Sequence, residues 1–359
     1  MSEGMHNDVT PTPRHFLLRA WRFFLRRQAL VLSLLVVVAV AVAEVALHHR
    51  PLPASVRELI WVQAMDPEVH EADTDPRLLM KLKPGAQRVY ETPDHPPRTV
   101  SVNALGFRGP ERSLAKGENV FRIVIFGSST AYGAAVSDDR TLSAHLERIL
   151  NERGDPVTYE VWNGGVSAYN PSQMAVLAAR TMAAGAQPDV VLFHIGLIGA
   201  RAFLIGHVDL NQFTADPSMV GEYFFTPSFL PAKATAWLAA HSRLFLLTLA
   251  HFTRMADAEE REQRLRETAI MHHRAVLGDF VRAYRDRTRL AAFVAPCYEQ
   301  DDTAFFVRQV TEPAGLAQWC VAADHDEPEY RLEHPPGYVY AHLAEKLAER
   351  LDREGYLTR

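Results

Sequence analysis

The stretch Arg122–Tyr132, Arg-Ile-Val-Ile-Phe-Gly-Ser-Ser-Thr-Ala-Tyr, constrains this chain most. Ile123 to Phe126 is a short apolar run rich in β-branched residues, the pattern of a strand buried on both faces of a parallel sheet. Gly127 ends the run, small hydroxyl residues follow, and a helical pattern spans about 138–151. A buried strand that stops at Gly-Ser-Ser puts Ser128 and Ser129 at the carboxyl edge of the sheet, where open α/β sheets bind ligands. A serine at that edge becomes a nucleophile when a base stands nearby. The alternative is an ordinary strand-to-helix turn whose Ser and Thr serve local hydrogen bonding.

The pattern repeats. Thr158–Trp162 reads as a second strand and ends in Asn163-Gly-Gly-Val-Ser-Ala-Tyr-Asn170. Paired glycines let the backbone approach a ligand and point N–H groups at it. Ser172 and Gln173 open a helix that runs to about Ala184, with Gly185 as C-cap and Pro188 shortly after. Asp189–Ile195 is a third buried strand, closed by Gly196, and Leu290–Pro296 is a fourth. The first three strands alternate with helices and each stops at glycine, a pattern that predicts a doubly wound parallel sheet. The first turn has neither G-x-G-x-x-G nor a P-loop lysine, so nucleotide binding has no support.

Other segments say less. Residues 200–250 are apolar and aromatic, and read as an insertion packed on the core, with a lid or a lipid-facing shoulder as alternatives. Residues 256–288 predict a long charged helix, and 301–330 read as acidic and irregular. His334-Pro-Pro-Gly337 leads into an amphipathic helix, Tyr338–Leu351, that would cover the sheet. His334 is thereby placed to reach the carboxyl edge; the plain alternative is a surface histidine in a turn. Phe107 reads as a core plug and Arg108 as a salt-bridging residue.

Before the α/β body lies a different chemistry. Residues 1–28 interleave Arg14, Arg19, Arg22, Arg26 and Arg27 with Phe and Leu, a basic tail suited to a membrane surface. Residues 29–47 are almost wholly Ala, Val and Leu, with Ser33 and Glu44 the polar exceptions. That length at helical rise crosses a bilayer. The flanking arginines orient it with the N-terminus inside and the rest of the chain outside the cytoplasm. A cleaved signal peptide is the rival reading, but the apolar run exceeds a usual h-region. Residues 48–100, punctuated by prolines, read as a stalk or linker that becomes ordered as it meets the domain at 101–359, within which about 200–288 is the insertion. The 48% apolar content is ample for a core, and no basic cluster interleaved with aromatics marks the body, so nucleic acid is excluded as a partner. Cys297 and Cys320 either pair in an oxidising compartment or remain free buried thiols.

Together, Asn103-Ala-Leu-Gly-Phe-Arg-Gly109, the Gly127-Ser-Ser-Thr turn, Asn163-Gly-Gly-Val-Ser-Ala-Tyr-Asn, Pro188-Asp-Val-Val-Leu and the late His334 resemble the SGNH (GDSL-type) hydrolase family, in particular its membrane-anchored bacterial members. The resemblance spans roughly 75–200 and 288–351. It implies a three-layer, flavodoxin-like α/β sheet preceded by one transmembrane helix. It also implies Ser129 as nucleophile, His334 as base, and the N–H groups of Ser129 and Gly165 as oxyanion donors. Neither cofactor nor metal is implied. Two departures stand out. The family's third block, Gly-x-Asn-Asp, is here Gly196-Leu-Ile198-Gly, so the oxyanion asparagine is replaced by Ile198. Its last block, Asp-x-x-His, here has Arg331 in place of Asp, which leaves Glu329, Glu333 or Asp326 as the orienting acid. Loss of one oxyanion donor costs about 3–4 kcal/mol in other hydrolases, a loss Asn163 could cover. The expected function is a membrane-anchored, periplasmic serine esterase or acyl transferase acting on an acylated envelope glycan or lipid. The alternative is a catalytically impaired domain that binds glycan or an envelope protein partner.

Overall fold

A computed structural model of the chain describes residues 13–50, 62–63, 66–75, 77–78, 80–92, 95–196, 206–207, 212–213, 230–255, 258–297, 302–322, 328–332 and 334–358. They divide into two compact units: Met1–Pro51 with Ser242–Leu244, and the rest.

The first unit is built on helix α1, Pro13–His48. Within it, Arg27–His48 is long and apolar enough to cross a membrane, with mean hydropathy 2.8 and no burial against protein. Leu30, Leu32, Val37 and Val42 are each more than 60% exposed, a face that water does not tolerate over this length.

The second unit holds a five-stranded, wholly parallel sheet. Its strands are β1 (Val120–Gly127), β2 (Thr158–Gly165), β3 (Val190–His194), β4 (Arg289–Cys297) and β5 (Ala317–Ala322). In space they run β5-β4-β3-β1-β2. This is the doubly wound order with its switch point beside β1. The four expected strands are present, within a few residues of their predicted ends. The fifth lies in the stretch expected to be irregular. It is an edge strand that alternates buried and exposed residues, so it lacks the continuous apolar run of its neighbours.

Helices α2 (Ser129–Tyr132), α3 (Leu142–Asn151), α4 (Pro171–Ala183), α5 (Ala232–His241), α6 (Arg243–Met255), α7 (Ala258–Tyr284), α8 (Asp302–Thr311) and α9 (Gly337–Arg353) complete the chain. One face of the sheet buries Leu142, Leu146 and Leu150 of α3 with Val339, Leu343 and Leu347 of α9. The other buries Met174 and Ala178 of α4, Leu277 and Phe280 of α7 and Val307 of α8. Helix, sheet and helix make three layers, as expected. Cys297 and Cys320 form a disulfide between β4 and β5.

The expected stalk is partly core. Hairpins His70–Ala72 with Met80–Leu82, and Gln87–Thr92 with His95–Ser101, contribute Val69, Leu78, Met80, Leu82 and Val100 to the α4 face. The strands of the first are three residues long, and Pro96 and Pro97 interrupt the second, so no clear period shows in sequence.

Candidate active site

Three turns at the carboxyl ends of β1, β2 and β3 build the site. β1 stops at Gly127 because nothing larger fits: a Cβ there would stand 2.4 Å from Ala131 Cβ and 3.1 Å from His194 Cβ. Ser128 is the extended N-cap and Ser129 the first residue of the short helix α2. As that first residue, Ser129 has no acceptor for its N–H inside the helix. Ser129 is 4% exposed, and its Oγ is buried without a hydrogen-bond partner among the described residues.

The turn at the end of β2 is pressed against this helix. Gly165 lies opposite Gly127 in the ladder. A Cβ on Gly165 would meet Tyr132 N at 2.2 Å and Ala131 C at 2.7 Å. The Gly165 N–H, expected to serve the oxyanion, donates to Asn163 Oδ1 at 3.0 Å. Asn163 Nδ2, the anticipated substitute donor, is 3.3 Å from the Tyr132 carbonyl and donates to it. Both donors are therefore engaged inside the turn. Further on, Asn170 and Gln173 exchange side-chain to backbone bonds, a capping box that starts α4 on Pro171.

Arg108 holds the Ser129 turn from outside. Its side chain is fully buried, and its Nη1 donates to the carbonyls of Tyr132 and Gly133 at 2.7 and 2.6 Å. Nη2 donates to Val136 O at 2.5 Å, and Nε pairs with Asp138 Oδ1 at 2.8 Å. The guanidinium also stacks on the Tyr132 ring, 4.7 Å from its centroid. Asp138 Oδ2 in turn accepts the Ser101 N–H at 2.9 Å. The expected salt bridge is present, and most of its work is on backbone carbonyls. Asn103 shapes the approach, its Oδ1 accepting the N–H groups of Leu105 and Phe107 at 3.0 Å each. Burial pushes the Tyr132 phenol up to about 12, against the opposing pull of Arg108.

His334 lies in the turn before α9, partly exposed, with Nε2 buried and unpartnered among the described residues. The helix α9 that follows shares a buried cluster with Ala131 of α2. At its start, Gly337 lies so close to Arg140 that a Cβ would stand 3.0 Å from Arg140 Cδ. Arg140 shares a short 3-10 helix with Asp138, the partner of Arg108. Among the described residues neither Ser129 Oγ nor His334 Nε2 has a partner, so the two are not hydrogen-bonded to each other. Of the expected orienting acids, Glu329 is exposed in the 3-10 helix Pro328–Arg331, while Asp326 and Glu333 lie outside the described residues, as does Ile198.

One residue at this edge went unnoticed in sequence. His194 ends β3, opposite Gly127, and is fully buried. Its Nε2 is 2.8 Å from the Ala295 carbonyl, which fixes the Nε2–H tautomer and leaves Nδ1 unpartnered among the described residues. Burial holds its pKa below the ordinary histidine value. Its position as the last residue of a strand, next to a glycine, was the available signal. Among the described residues no group of three or more His, Cys, Asp or Glu is arranged to hold a metal.

No family model matches the chain, and no curated protein matches it. Solved structures do. A protein described as lipolytic and of the G-D-S-L family, from Desulfitobacterium hafniense, aligns at 10% identity over 64% of this chain and 98% of its own, with TM-score 0.34. A catalytic mutant of the acetylxylan esterase Axe2 from Geobacillus stearothermophilus aligns at 14% identity over 64% and 93%, with TM-score 0.34. A family two carbohydrate esterase from Clostridium thermocellum aligns at 12% over 66% and 65%, with TM-score 0.35. At these values each residue's role has to be argued from this chain alone. The solved structures this chain is similar to include G-D-S-L family proteins and esterases, the class its motifs resemble.

Proposed function

We propose that this protein is a membrane-anchored, extracytoplasmic serine esterase or acyl transferase acting on acyl esters of an envelope glycan or lipid. One observation carries the reading. Ser129 presents a buried hydroxyl with no partner among the described residues, on a helix start pinned by Arg108 and Gly165 at the carboxyl edge of the sheet. A buried polar group left unsatisfied is costly, and such positions cluster where chemistry happens.

In this reading Ser129 Oγ attacks the ester carbonyl carbon as its proton passes to His334 Nε2. The developing oxyanion is met by the Ser129 N–H and by the Gly165 N–H, which Asn163 Oδ1 releases as the oxyanion arrives. Collapse breaks the ester bond, and the leaving alkoxide takes the proton from His334. Water, or an acceptor hydroxyl, then deprotonated by His334, displaces the acyl group from Ser129. Asp326, Glu329 or Glu333 orients the imidazole. Placement outside the cytoplasm, with the N-terminus inside and the span in the inner membrane, is supported by the apolar helix Arg27–His48, by the arginines before it, and by the disulfide Cys297–Cys320.

Turnover of an acetyl ester by the full-length protein, compared with Ser129→Ala and His334→Ala, tests this. Loss in both variants is expected; equal turnover in wild type and Ser129→Ala would overturn it. A second reading, a domain that binds glycan or an envelope protein without catalysis, draws on the Gly165 N–H already being engaged and on the two unpartnered atoms. Ester hydrolysis that disappears in His334→Ala rules against it.

A further inference from the structure

We infer that a cavity beside α3 is a saccharide-binding subsite, which takes a neutral glycan by a pair of adjacent hydroxyls. It deepens the reading of Ser129 as an esterase nucleophile and rests on it, because it favours a glycan over a lipid as the carrier of the acyl group. The cavity holds about 490 Å³ and lies between the 101–112 segment, α3 and Val161 of the edge strand β2. That is within the range of about 300–1,000 Å³ usual for small-ligand sites. Its charged lining is balanced: Arg108, Arg112 and Arg148 stand against Asp138, Asp139 and Glu147. Such a lining has no net charge with which to hold an ion.

Two of these groups are bonded to each other and still have capacity to spare. Arg112 donates from Nη2 to Glu147 Oε2 at 2.6 Å. Its side chain is only 13% exposed, yet Nε and Nη1 have no partner among the described residues. Glu147 Oε2 also accepts the Val161 N–H at 2.6 Å, which leaves Oε1 without a hydrogen bond among the described residues. None of these spare atoms is sealed inside the protein. A guanidinium only donates and a carboxylate only accepts, whereas a hydroxyl does both. Adjacent sugar hydroxyls can therefore accept from Arg112 while they donate to Glu147. An anion has nothing to donate to Glu147, and a cation has nothing with which to accept from Arg112. The pair is also held still, because the Val161 backbone ties Glu147 to the sheet. Arg108 links this subsite to the nucleophile. It pairs with Asp138 in the cavity lining and donates to the carbonyls of Tyr132 and Gly133 in the Ser129 turn.

The test is saturation-transfer nuclear magnetic resonance on the full-length protein in lauryldimethylamine oxide micelles, a detergent with no sugar headgroup. The probes are maltohexaose and mannohexaose, neutral oligosaccharides whose adjacent hydroxyls differ in orientation. Transfer from wild type to at least one of them is expected. Arg112→Leu is expected to raise its Kd about tenfold, the scale of losing a hydrogen bond to a charged group. Ala144→Trp fills the cavity from α3 and leaves the Arg112–Glu147 pair in place. It is expected to lose the transfer with far-ultraviolet circular dichroism unchanged. No transfer to either saccharide overturns the subsite, and so does transfer that survives Ala144→Trp. Inorganic phosphate that binds wild type, seen as broadening of its phosphorus resonance, and no longer binds Arg112→Leu would make this an anion site and overturn it too. Saccharide binding by a protein that turns over no acetyl ester supports the subsite and overturns the Ser129 reading. Turnover without saccharide binding overturns the subsite and leaves that reading standing.

Discussion

The α-carbon of Gly165 sits so close to the backbone of Tyr132 that a methyl group on it would stand 2.2 Å from the Tyr132 nitrogen. The end of β2 thereby sets where the Ser129 turn can lie. Backbone cannot rotate out of the way as a side chain can. Gly165→Ala is therefore expected to destabilise the protein by about 2–3 kcal/mol and to lower ester turnover further than its loss of stability explains. Urea unfolding alongside turnover below the unfolding transition checks both.

Arg108→Met removes the donors for Tyr132, Gly133 and Val136 and leaves Asp138 without its partner. The expected cost is on the order of 3–5 kcal/mol, the scale of breaking a buried pair. Arg108→Lys is expected to recover little of it, because a point charge cannot serve a fork of three carbonyls. Chemical denaturation of the three proteins measures this.

Ser129→Ala behaves the opposite way. Its hydroxyl is buried with no partner among the described residues, so removal leaves nothing newly unsatisfied there. The variant is expected to be as stable as wild type or slightly more so, with turnover lost. A fall of more than about 1 kcal/mol in unfolding free energy would mean that the hydroxyl is a structural donor.

His194 gives stability a pH dependence. Burial depresses its folded-state pKa, so the unfolded chain binds a proton first as pH falls. Its neutral form contributes stability above the unfolded value near 6.5, and that contribution declines as pH drops from there toward the folded value. His145, depressed by burial and then by Arg148, acts in the same direction. His194→Gln is expected to flatten the rise of unfolding free energy between about pH 5 and pH 7.5. Denaturation midpoints across that window would show it.

The disulfide closes a loop across 23 residues between β4 and β5. Its reduction, or Cys297→Ser, is expected to cost about 3 kcal/mol, seen as a lower melting temperature in reductant for wild type and no further change for the variant.

Much of this was legible in the sequence. β1, β3 and β4 announce themselves because both faces are buried, so each reads as a nearly unbroken apolar run, and β1 to β3 end at or beside a glycine. β5 does not, because its residues alternate between buried and exposed, so one of its faces is wet. The Ser129 turn was visible as Gly-Ser-Ser, but what holds it was not. Three of the groups Arg108 bonds are backbone carbonyls, which carry no residue signature. The hairpins before residue 101 hid for another reason: the strands of the first are three residues long, too short to show a period, and the last strand of the second carries Pro96 and Pro97. His194 was overlooked because a histidine within an apolar run reads as part of the strand until the partner of each ring nitrogen is known.

The most direct measurement is mass spectrometry of the full-length protein after exposure to a fluorophosphonate, with the adduct mapped by proteolysis. The account predicts a single adduct on the peptide containing Ser129, absent in Ser129→Ala and greatly slowed in His334→Ala. No adduct on wild type, or one that persists in Ser129→Ala, would contradict it.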